Sequence, residues 1–146
     1  MFKYLIPVLV LLVVPIATLA ANLSDIAVNV TGLNSDKGKV RIAIFNTKNT
    51  YTEDDGSGDK AFQKVAATIS GQRASCTFSA VPYGTYAIKL FHDEENSGKF
   101  LKNIFGIPKV QYGFSNNARG RFGPAAFEKA QFQVDKPEVK VEITAK

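Results

Sequence analysis

The residues of this chain that could do chemistry are concentrated in segment 92–98, where a predicted strand runs into the sequence His-Asp-Glu-Glu-Asn-Ser-Gly. His92 is the single histidine, so catalytic schemes with two histidines and zinc sites with several histidines are excluded. A metal-assisted hydrolase would have to combine His92 with Asp93 and with Glu94 or Glu95. Adjacent strand residues point to opposite faces, which separates His92 from Asp93 unless the strand has already ended. The pattern favours a histidine at the rim of a core, hydrogen-bonded by a following loop.

The same segment carries part of a calcium-loop pattern. Asp93, Glu95 and Ser97 place oxygen-bearing side chains at alternate positions before Gly98, and this spacing lets a curled loop direct its oxygens at one cation. A calcium loop also needs a bidentate carboxylate at its end, where this chain has Lys102 and its apolar neighbours. The segment therefore reads first as an acidic surface turn. Asp93, Glu95 and Ser97 are the candidate calcium ligands, and no other cofactor is expected.

A long loop from Phe105 to Phe127 offers the mixture of groups that ligand sites use. Its aromatic faces, amides and positive charges can cover apolar surface and satisfy the polar groups of a glycan or a peptide. Alternatively, its aromatic side chains fold inward as a lid and its asparagines stabilise turns. Ser115 lies in this loop, but the surrounding sequence lacks the second glycine of a nucleophile elbow. The candidate ligand-binding residues are His92, Asp93, Tyr112, Phe114, Asn116, Asn117, Arg119 and Arg121.

Short alternating segments must position this region. Apolar and polar residues alternate in segments 25–33, 39–46, 62–69, 73–81, 85–91, 127–134 and 139–143. About seven short strands without a sustained helical period predict an all-β fold: a single antiparallel β-sandwich, prealbumin-like, with an up-and-down barrel as the alternative. We expect the first two segments to form a hairpin and residues 50–60 to form a flexible acidic loop. The nearest approach to a helix is a short turn at 124–130, which Pro124 could open.

The N-terminal residues indicate export. Lys3 precedes an apolar run, and Thr18-Leu19-Ala20 supplies the small residues that a signal peptidase needs. An uncleaved membrane anchor is the alternative, but it needs about 20 uninterrupted apolar residues. We expect a signal peptide over 1–20 and one β-sandwich domain over 21–146. The product would be exported to the periplasm or the cell exterior, with no membrane span after cleavage.

Charge and cysteine content limit the classes of partner and the sources of stability. The formal net charge is +5, but lysines and arginines are scattered, unlike the clustered cations of a nucleic-acid site, so no nucleic-acid partner is expected. The charge is compatible with weak attraction to anionic cell-surface material. The single cysteine excludes an intramolecular disulfide, so stability must come from a packed core. Cys76 shares a strand face with Ala74, Phe78 and Ala80 and is predicted to be a small buried hydrophobe.

Two groups of residues carry a resemblance to known families. In segment 76–88 a Pro-Tyr-Gly turn joins two strands, which resembles a hairpin of transthyretin-like and carboxypeptidase-regulatory-like sandwiches. The second group is Phe-His-Asp at 91–93, Gly-Ile-Pro at 106–108 and Gly-Phe-Ser-Asn-Asn at 113–117. With these motifs, nearly all of the mature chain resembles the bacterial secreted family called domain of unknown function 2141. The resemblance implies an exported β-sandwich whose biochemical role is not established.

These features together predict a non-enzymatic, exported binding or structural protein of the cell envelope. Its recognition surface would be the turn and loop over 92–123, and its partner a glycan or a protein of the envelope. The alternative function is the metal-assisted hydrolase that uses His92 and the neighbouring carboxylates.

Overall fold

The computed structural model describes Pro15 and residues 22–146. The predicted signal peptide, 1–20, therefore lies outside the described residues apart from Pro15. No helix within the described part of the chain is long and apolar enough to cross a membrane. The elements are β1 (Leu23–Thr31), β2 (Lys39–Phe45), α1 (Lys48–Glu53), β3 (Gln63–Ser70), β4 (Arg73–Pro82), β5 (Gly84–Asp93), β6 (Tyr112–Phe114), a 3-10 turn (Ser115–Asn117), α2 (Phe127–Ala130), β7 (Phe132–Val134) and β8 (Glu138–Thr144).

The strands of residues 22–146 form one sheet in the order β6-β5-β2-β3-β4-β1-β8, with β7 added to β5. β8 runs parallel to β1, beginning with Glu138 opposite Asp25. The two ends of this sheet meet where the Tyr112 N–H donates to the Lys146 carbonyl at 3.1 Å and the Lys146 N–H donates to the Tyr112 carbonyl at 3.0 Å. The sheet is therefore mixed, nearly closed and barrel-like.

The predicted all-β class is confirmed in its coarse form, because most of the regular structure is strand. A purely antiparallel sandwich is not confirmed, since β1 and β8 are parallel. The expected hairpin between the first two segments is wrong: β1 pairs with β4 and β8, whereas β2 pairs with β3 and β5. The hairpin expected at Pro82–Gly84 is also wrong, because β4 and β5 do not pair with each other. The turn is a corner at which the chain passes to another part of the sheet. Alternation fixes the buried face of a strand but not its neighbour.

Two short helices lie in segments that the sequence predicts mainly as loop or strand. Helix α1 begins at Lys48 and ends within the expected acidic loop; it is capped by Thr47, whose hydroxyl accepts the Thr50 N–H at 3.2 Å. The helix buries Tyr51, which is 2% exposed. In segment 127–134 the first half is α2, which lies within the short helical turn expected at 124–130, and only Phe132–Val134 is strand. Helix α1 is too short to show a 3.6-residue period, so a pattern search cannot find it.

The main core fills the inside of the barrel. The predicted core faces of the first two segments are confirmed, because each of these residues is at most 1% exposed: Ile26, Val28, Val30, Val40, Ile42 and Ile44. Cys76 is half-buried and packs against the same core. Burial raises the pKa of its thiol to about 11, so this cysteine behaves as a packing residue.

Strand β5 is buried on both faces, which is unusual for a strand of an antiparallel ladder. Its inward residues Tyr86, Ile88 and Leu90 belong to the main core. Its outward face, with that of β2, is covered by α1, α2 and the end of the long loop. We call this second apolar group the outer cluster; it comprises Ala43, Phe45, Tyr51, Ala87, Phe114, Ala125 and Ala130.

Ser115 connects β5 to the outer cluster. The side chain is fully buried, its hydroxyl oxygen accepts the Ile88 N–H at 2.9 Å, and the hydroxyl donates to the Ala130 carbonyl at 2.5 Å. Both bonds satisfy buried backbone groups, because Ile88 and Ala130 are fully buried. Ser115 is therefore a structural serine in the place where the sequence analysis found an incomplete nucleophile motif.

This role predicts a large loss of stability in Ser115→Ala. The substitution leaves a buried donor and a buried acceptor without their partner, and the free energy of unfolding should fall by about 2 kcal/mol or more. Ser79→Ala is the control, because Ser79 is exposed on β4, and it should change the free energy by less than about 0.5 kcal/mol. Urea unfolding of both variants measures the difference, and equal small effects would contradict the role of Ser115.

Candidate functional site

A hollow of about 780 Å³ lies on the outward face of β2, β3, β5 and β6. Strand register builds its floor from two rows of side chains that cross these four strands. Segments 54–59, 98–108 and 120–124 form its walls. Small side chains on β2 and β3 leave space above the sheet. The first floor row is Lys64, Ala43, Lys89 and Phe114, and the second is Ala66, Arg41, Phe91 and Tyr112.

Lys89 places an ammonium group at the floor of the hollow. Its side chain is 13% exposed, and Nζ donates to the Tyr51 carbonyl at 2.5 Å and to the Asp54 carbonyl at 3.3 Å. The Asp54 carboxylate is 3.8 Å away, and the centroid of the Tyr51 ring is 4.4 Å away. Burial lowers the pKa of Lys89, because removal from water disfavours the charged amine more than Asp54 favours it. Lys89 thus holds the segment after α1 against the sheet and presents a partly desolvated cation.

Arg41, the other central cation of the floor, is tied to the acidic turn. Its Nε donates to Asp93 Oδ2 at 2.9 Å and its Nη2 donates to Asn96 Oδ1 at 2.8 Å. The Asp93 carboxylate also accepts the N–H groups of Ser97 at 2.9 Å and Gly98 at 2.8 Å. Burial pushes the pKa of Asp93 up, but the hydrogen bonds from Gly98, Ser97 and Arg41 together hold it below its usual range. Asp93 therefore closes its own turn and orients Arg41.

The predicted calcium ligands lie in this turn. Asp93 is engaged as described, the Ser97 hydroxyl donates to Asp93 Oδ1 at 3.3 Å, and Glu95 is exposed. Among the residues that the structure describes, no group of three or more His, Cys, Asp or Glu side chains could hold a metal ion. Calcium binding at Asp93, Glu95 and Ser97 stays a prediction, and the internal hydrogen bonds alone account for the shape of the turn.

His92 lies at the end of the main core and is 1% exposed. Its Nε2 is 2.8 Å from the Lys37 carbonyl oxygen, and its Nδ1 is 3.3 Å from Gln111 Oε1. Gln111 Oε1 also accepts the Asn34 N–H at 2.8 Å, which fixes the orientation of that amide. This placement agrees with the predicted histidine at the core rim. His92 is not part of the hollow.

Three of the predicted ligand-binding residues line the hollow: Tyr112, Phe114 and Arg121. The two aromatic rings belong to a continuous chain of edge-to-face contacts. The centroid distances are 5.4 Å between Phe91 and Phe100, 6.2 Å between Phe100 and Tyr112, and 5.8 Å between Tyr112 and Phe114. Such contacts make the aromatic wall of the hollow rigid.

The predicted asparagines hold turns, as the lid alternative expected. Asn116 Nδ2 donates to the Gln131 carbonyl at 2.7 Å, and Asn117 Oδ1 accepts the Thr144 N–H at 2.8 Å. Their φ angles are 60° and 48°, in the left-handed region that asparagine tolerates better than most residues. Arg119 is exposed and does not line the hollow.

The sequence analysis missed most of the charge around the hollow. The cations come from β2, β3, β5 and two loops that are distant in sequence, so no local run reveals them. One signal was available: the near-continuous apolar run at 86–91 marks a strand buried on both faces, and a lysine inside it must be largely buried. The cations that line the hollow are Arg41, Lys64, Lys89, Lys102 and Arg121, and the carboxylates are Asp54, Asp55 and Asp59.

Comparison with known protein families identifies the family of this chain. Residues 28–142 match the family of domain of unknown function 2141, described as an uncharacterized protein conserved in bacteria. The chain belongs to this family. The match covers every strand that forms the floor of the hollow, so the hollow is part of the DUF2141 domain. The family assignment expected from the motifs at 91–93, 106–108 and 113–117 is thereby confirmed.

Comparisons with curated sequences and with solved structures give no further information about the function of this DUF2141 member. No curated protein sequence matches the chain. A solved structure of a pilus-presented adhesin, in a cysteine-to-alanine mutant form, is similar at 11% identity and a TM-score of 0.26. The similarity covers 84% of this chain and 27% of that adhesin. A likeness of this size does not define a shared fold.

The hydrogen bonds of Asp93 predict a specific pH dependence. A carboxyl whose pKa is lowered by folding stabilises the native state above its unfolded pKa, about 3.9, and that contribution disappears as pH falls through the folded value. Asp93→Asn should therefore lower the free energy of unfolding by about 2 kcal/mol at pH 7, with the deficit shrinking as the pH falls below about 4.

Urea unfolding across this pH range measures the effect, with Glu95→Gln as the control, because Glu95 is an exposed carboxylate of the same turn. The control should show no such loss. A deficit in Asp93→Asn that stays constant with pH would contradict the role given to the carboxylate.

Proposed function

We propose that this protein is a non-enzymatic, exported binding protein of the cell envelope that takes an amphipathic anion in the hollow. The observation that carries the proposal is the hollow itself, in which cations and aromatic rings surround a common space of about 780 Å³. This volume is within the range of small-ligand sites, roughly 300 to 1,000 Å³. Its lining combines aromatic and aliphatic side chains with charged ones, so it offers both apolar surface and ionic groups to one ligand.

The charge around the hollow favours an anionic group. Five cations line it against three carboxylates. Asp54 is committed to the turn of its own segment, where it accepts the N–H groups of Gly56 at 3.0 Å and Gly58 at 2.8 Å. Asp59 forms an ion pair with Lys64 at 2.8 Å, so these two charges offset each other. Arg41 lines the hollow, and its side chain is 32% exposed although its Nε is paired with Asp93, so a ligand anion would meet a cation at the floor.

The walls favour an apolar portion on the same ligand. Phe100, Tyr112 and Phe114 give the floor a rigid aromatic side. Phe105 and Phe122 stand at the opening. Aromatic faces of this kind cover apolar rings or chains, whereas a purely ionic ligand would leave them in water. The proposed ligand is therefore one molecule with a carboxylate, sulfonate or phosphate group and an aromatic or aliphatic body.

The hydrolase alternative finds no favouring arrangement in the described residues. His92 contacts Lys37 and Gln111 at the end of the main core, while Asp93 is occupied by Arg41 and by its own turn. The likeness of segment 76–88 to transthyretin-like sandwiches remains a proposal about the fold. Its support is that the Tyr86 hydroxyl donates back to the Pro82 carbonyl at 2.7 Å, as in the tyrosine corner of β-sandwiches.

A fluorescent pair of probes tests the binding proposal. Anilinonaphthalene sulfonate and its uncharged analogue phenylnaphthylamine differ by one sulfonate group. We expect the native protein to bind the sulfonate at least about tenfold more tightly, which is about 1.4 kcal/mol. Fluorescence titration measures both affinities.

The blocking variant is Ala66→Trp, because Ala66 is an exposed floor residue whose enlargement fills the hollow and leaves the main core intact. It should lose the sulfonate probe. Thr77→Trp is the matched control, since it adds the same side chain at an exposed position of β4. Unchanged binding in Ala66→Trp, or equal loss in both variants, would contradict the proposal.

A further inference from the structure

Two loop tips at the opening of the hollow hold large apolar side chains in water. In segment 101–109, Ile104 is 93% exposed, Phe105 is 79% exposed and Ile107 is 58% exposed. In the second loop Phe122 is 95% exposed. Phe105, Ile107 and Phe122 all line the hollow, so both tips border the same space. A group of large exposed apolar side chains marks a surface that contacts something other than water.

The first tip is held in one conformation. The Asn103 N–H donates to the Ile107 carbonyl at 2.9 Å, and the Lys109 N–H donates to the Leu101 carbonyl at 2.8 Å, so segment 101–109 is a small hairpin. Asn103 Oδ1 accepts the N–H groups of Phe105 at 2.9 Å and Ile107 at 3.0 Å. These bonds satisfy the N–H groups of Phe105 and Ile107, and the Gly106 N–H donates to the Asn103 carbonyl at 3.0 Å. The apolar side chains therefore project from a turn that is held by hydrogen bonds.

Positive charge surrounds the apolar tips. Segment 99–123 contains no Asp or Glu, and its cations flank the exposed apolar residues in sequence. The carboxylates that line the hollow, Asp54, Asp55 and Asp59, belong to another segment. The guanidinium of Arg121 lies 5.6 Å from the centroid of the Phe122 ring, so a cation accompanies the second tip. The cations of segment 99–123 are Lys99, Lys102, Lys109, Arg119 and Arg121.

We propose that the loop tips dock this protein on an anionic lipid bilayer. An apolar apex with cations behind it matches the bilayer surface, where apolar side chains enter the boundary between headgroups and acyl chains and lysines and arginines contact anionic headgroups. Part of the backbone of the first tip is hydrogen-bonded within the hairpin, which lowers the cost of leaving water. Docking in this orientation brings the opening of the hollow to the membrane surface.

Vesicle binding tests this docking. The sequence contains no tryptophan, so Phe122→Trp creates a single fluorophore at the second tip. We expect its emission to shift to shorter wavelength when vesicles of phosphatidylglycerol and phosphatidylethanolamine are added, and to stay unchanged with phosphatidylcholine vesicles. Thr77→Trp, on β4, should show no shift with either kind of vesicle. An emission spectrum of Phe122→Trp that does not shift when anionic vesicles are added overturns the proposal.

Cosedimentation with the same vesicles separates the apolar and the ionic contributions. The double variant Ile104→Ser with Phe105→Ser should lose most of the bound fraction, and Lys102→Glu should weaken binding at least about fivefold. Leu23→Ser is the control, because Leu23 is also an exposed apolar residue, 43% exposed on β1, and it should bind as the unmodified chain does. Equal binding to neutral vesicles, or a tip variant that sediments normally, overturns the proposal. So does sedimentation velocity showing that the tips only join two copies of the chain.

A variant at the floor separates this proposal from the binding proposal for the hollow. Ile104 and Leu23 do not line the hollow, whereas Lys102, Phe105 and Phe122 do, so the floor variant is needed. Ala66→Trp fills the floor without altering either tip, and should keep full vesicle binding while it loses the naphthalene sulfonate. Loss of vesicle binding in Ala66→Trp would contradict the assignment of docking to the tips.

Discussion

The structure depends on the burial of β5 on both of its faces. An inward row of this strand completes the interior of the barrel, and the outward row, with Ala87, Lys89 and Phe91, supports everything that packs on the outside. The outer face of this strand is largely apolar, so other segments of the chain have to cover it. Helix α1, helix α2 and the long loop are the segments that pack on it. The hollow is the part of the outer face that they surround without filling.

The same constraint explains how the site is held. Lys89 connects the floor to the segment after α1, and Arg41 connects it to the acidic turn through Asp93. Gly38 lets the connection before β2 pass this turn, because a Cβ there would lie 1.9 Å from the Asp93 carbonyl oxygen. The groups that could meet a ligand are thus positioned by bonds that also stabilise the fold. In the proposed function, binding needs little rearrangement of the floor.

The alternation of apolar and polar residues predicts which side chains of a strand face the core. The core faces of β1 and β2 and the burial of His92 follow from a two-residue period, which survives any choice of strand partner. The parallel pair of β1 and β8 joins residues more than a hundred positions apart, and no local signal specifies it. The hollow was missed for the same reason, since Lys64, Arg41 and Lys89 become neighbours only through register. Of the residues predicted in segment 92–123, Tyr112, Phe114 and Arg121 line the hollow, whereas Asn116 and Asn117 hold turns.

The most direct test of this account is nuclear magnetic resonance of the isotope-labelled protein titrated with anilinonaphthalene sulfonate. The account predicts that the amide signals that move belong to the floor strands β2, β3, β5 and β6, with the largest changes around Arg41, Lys89 and Phe91. Signals of β1, β4 and β8 on the opposite side should stay in place. Changes centred on those strands, or changes around His92 without any on the floor, would contradict the claim that the outward face of β5 is the binding surface.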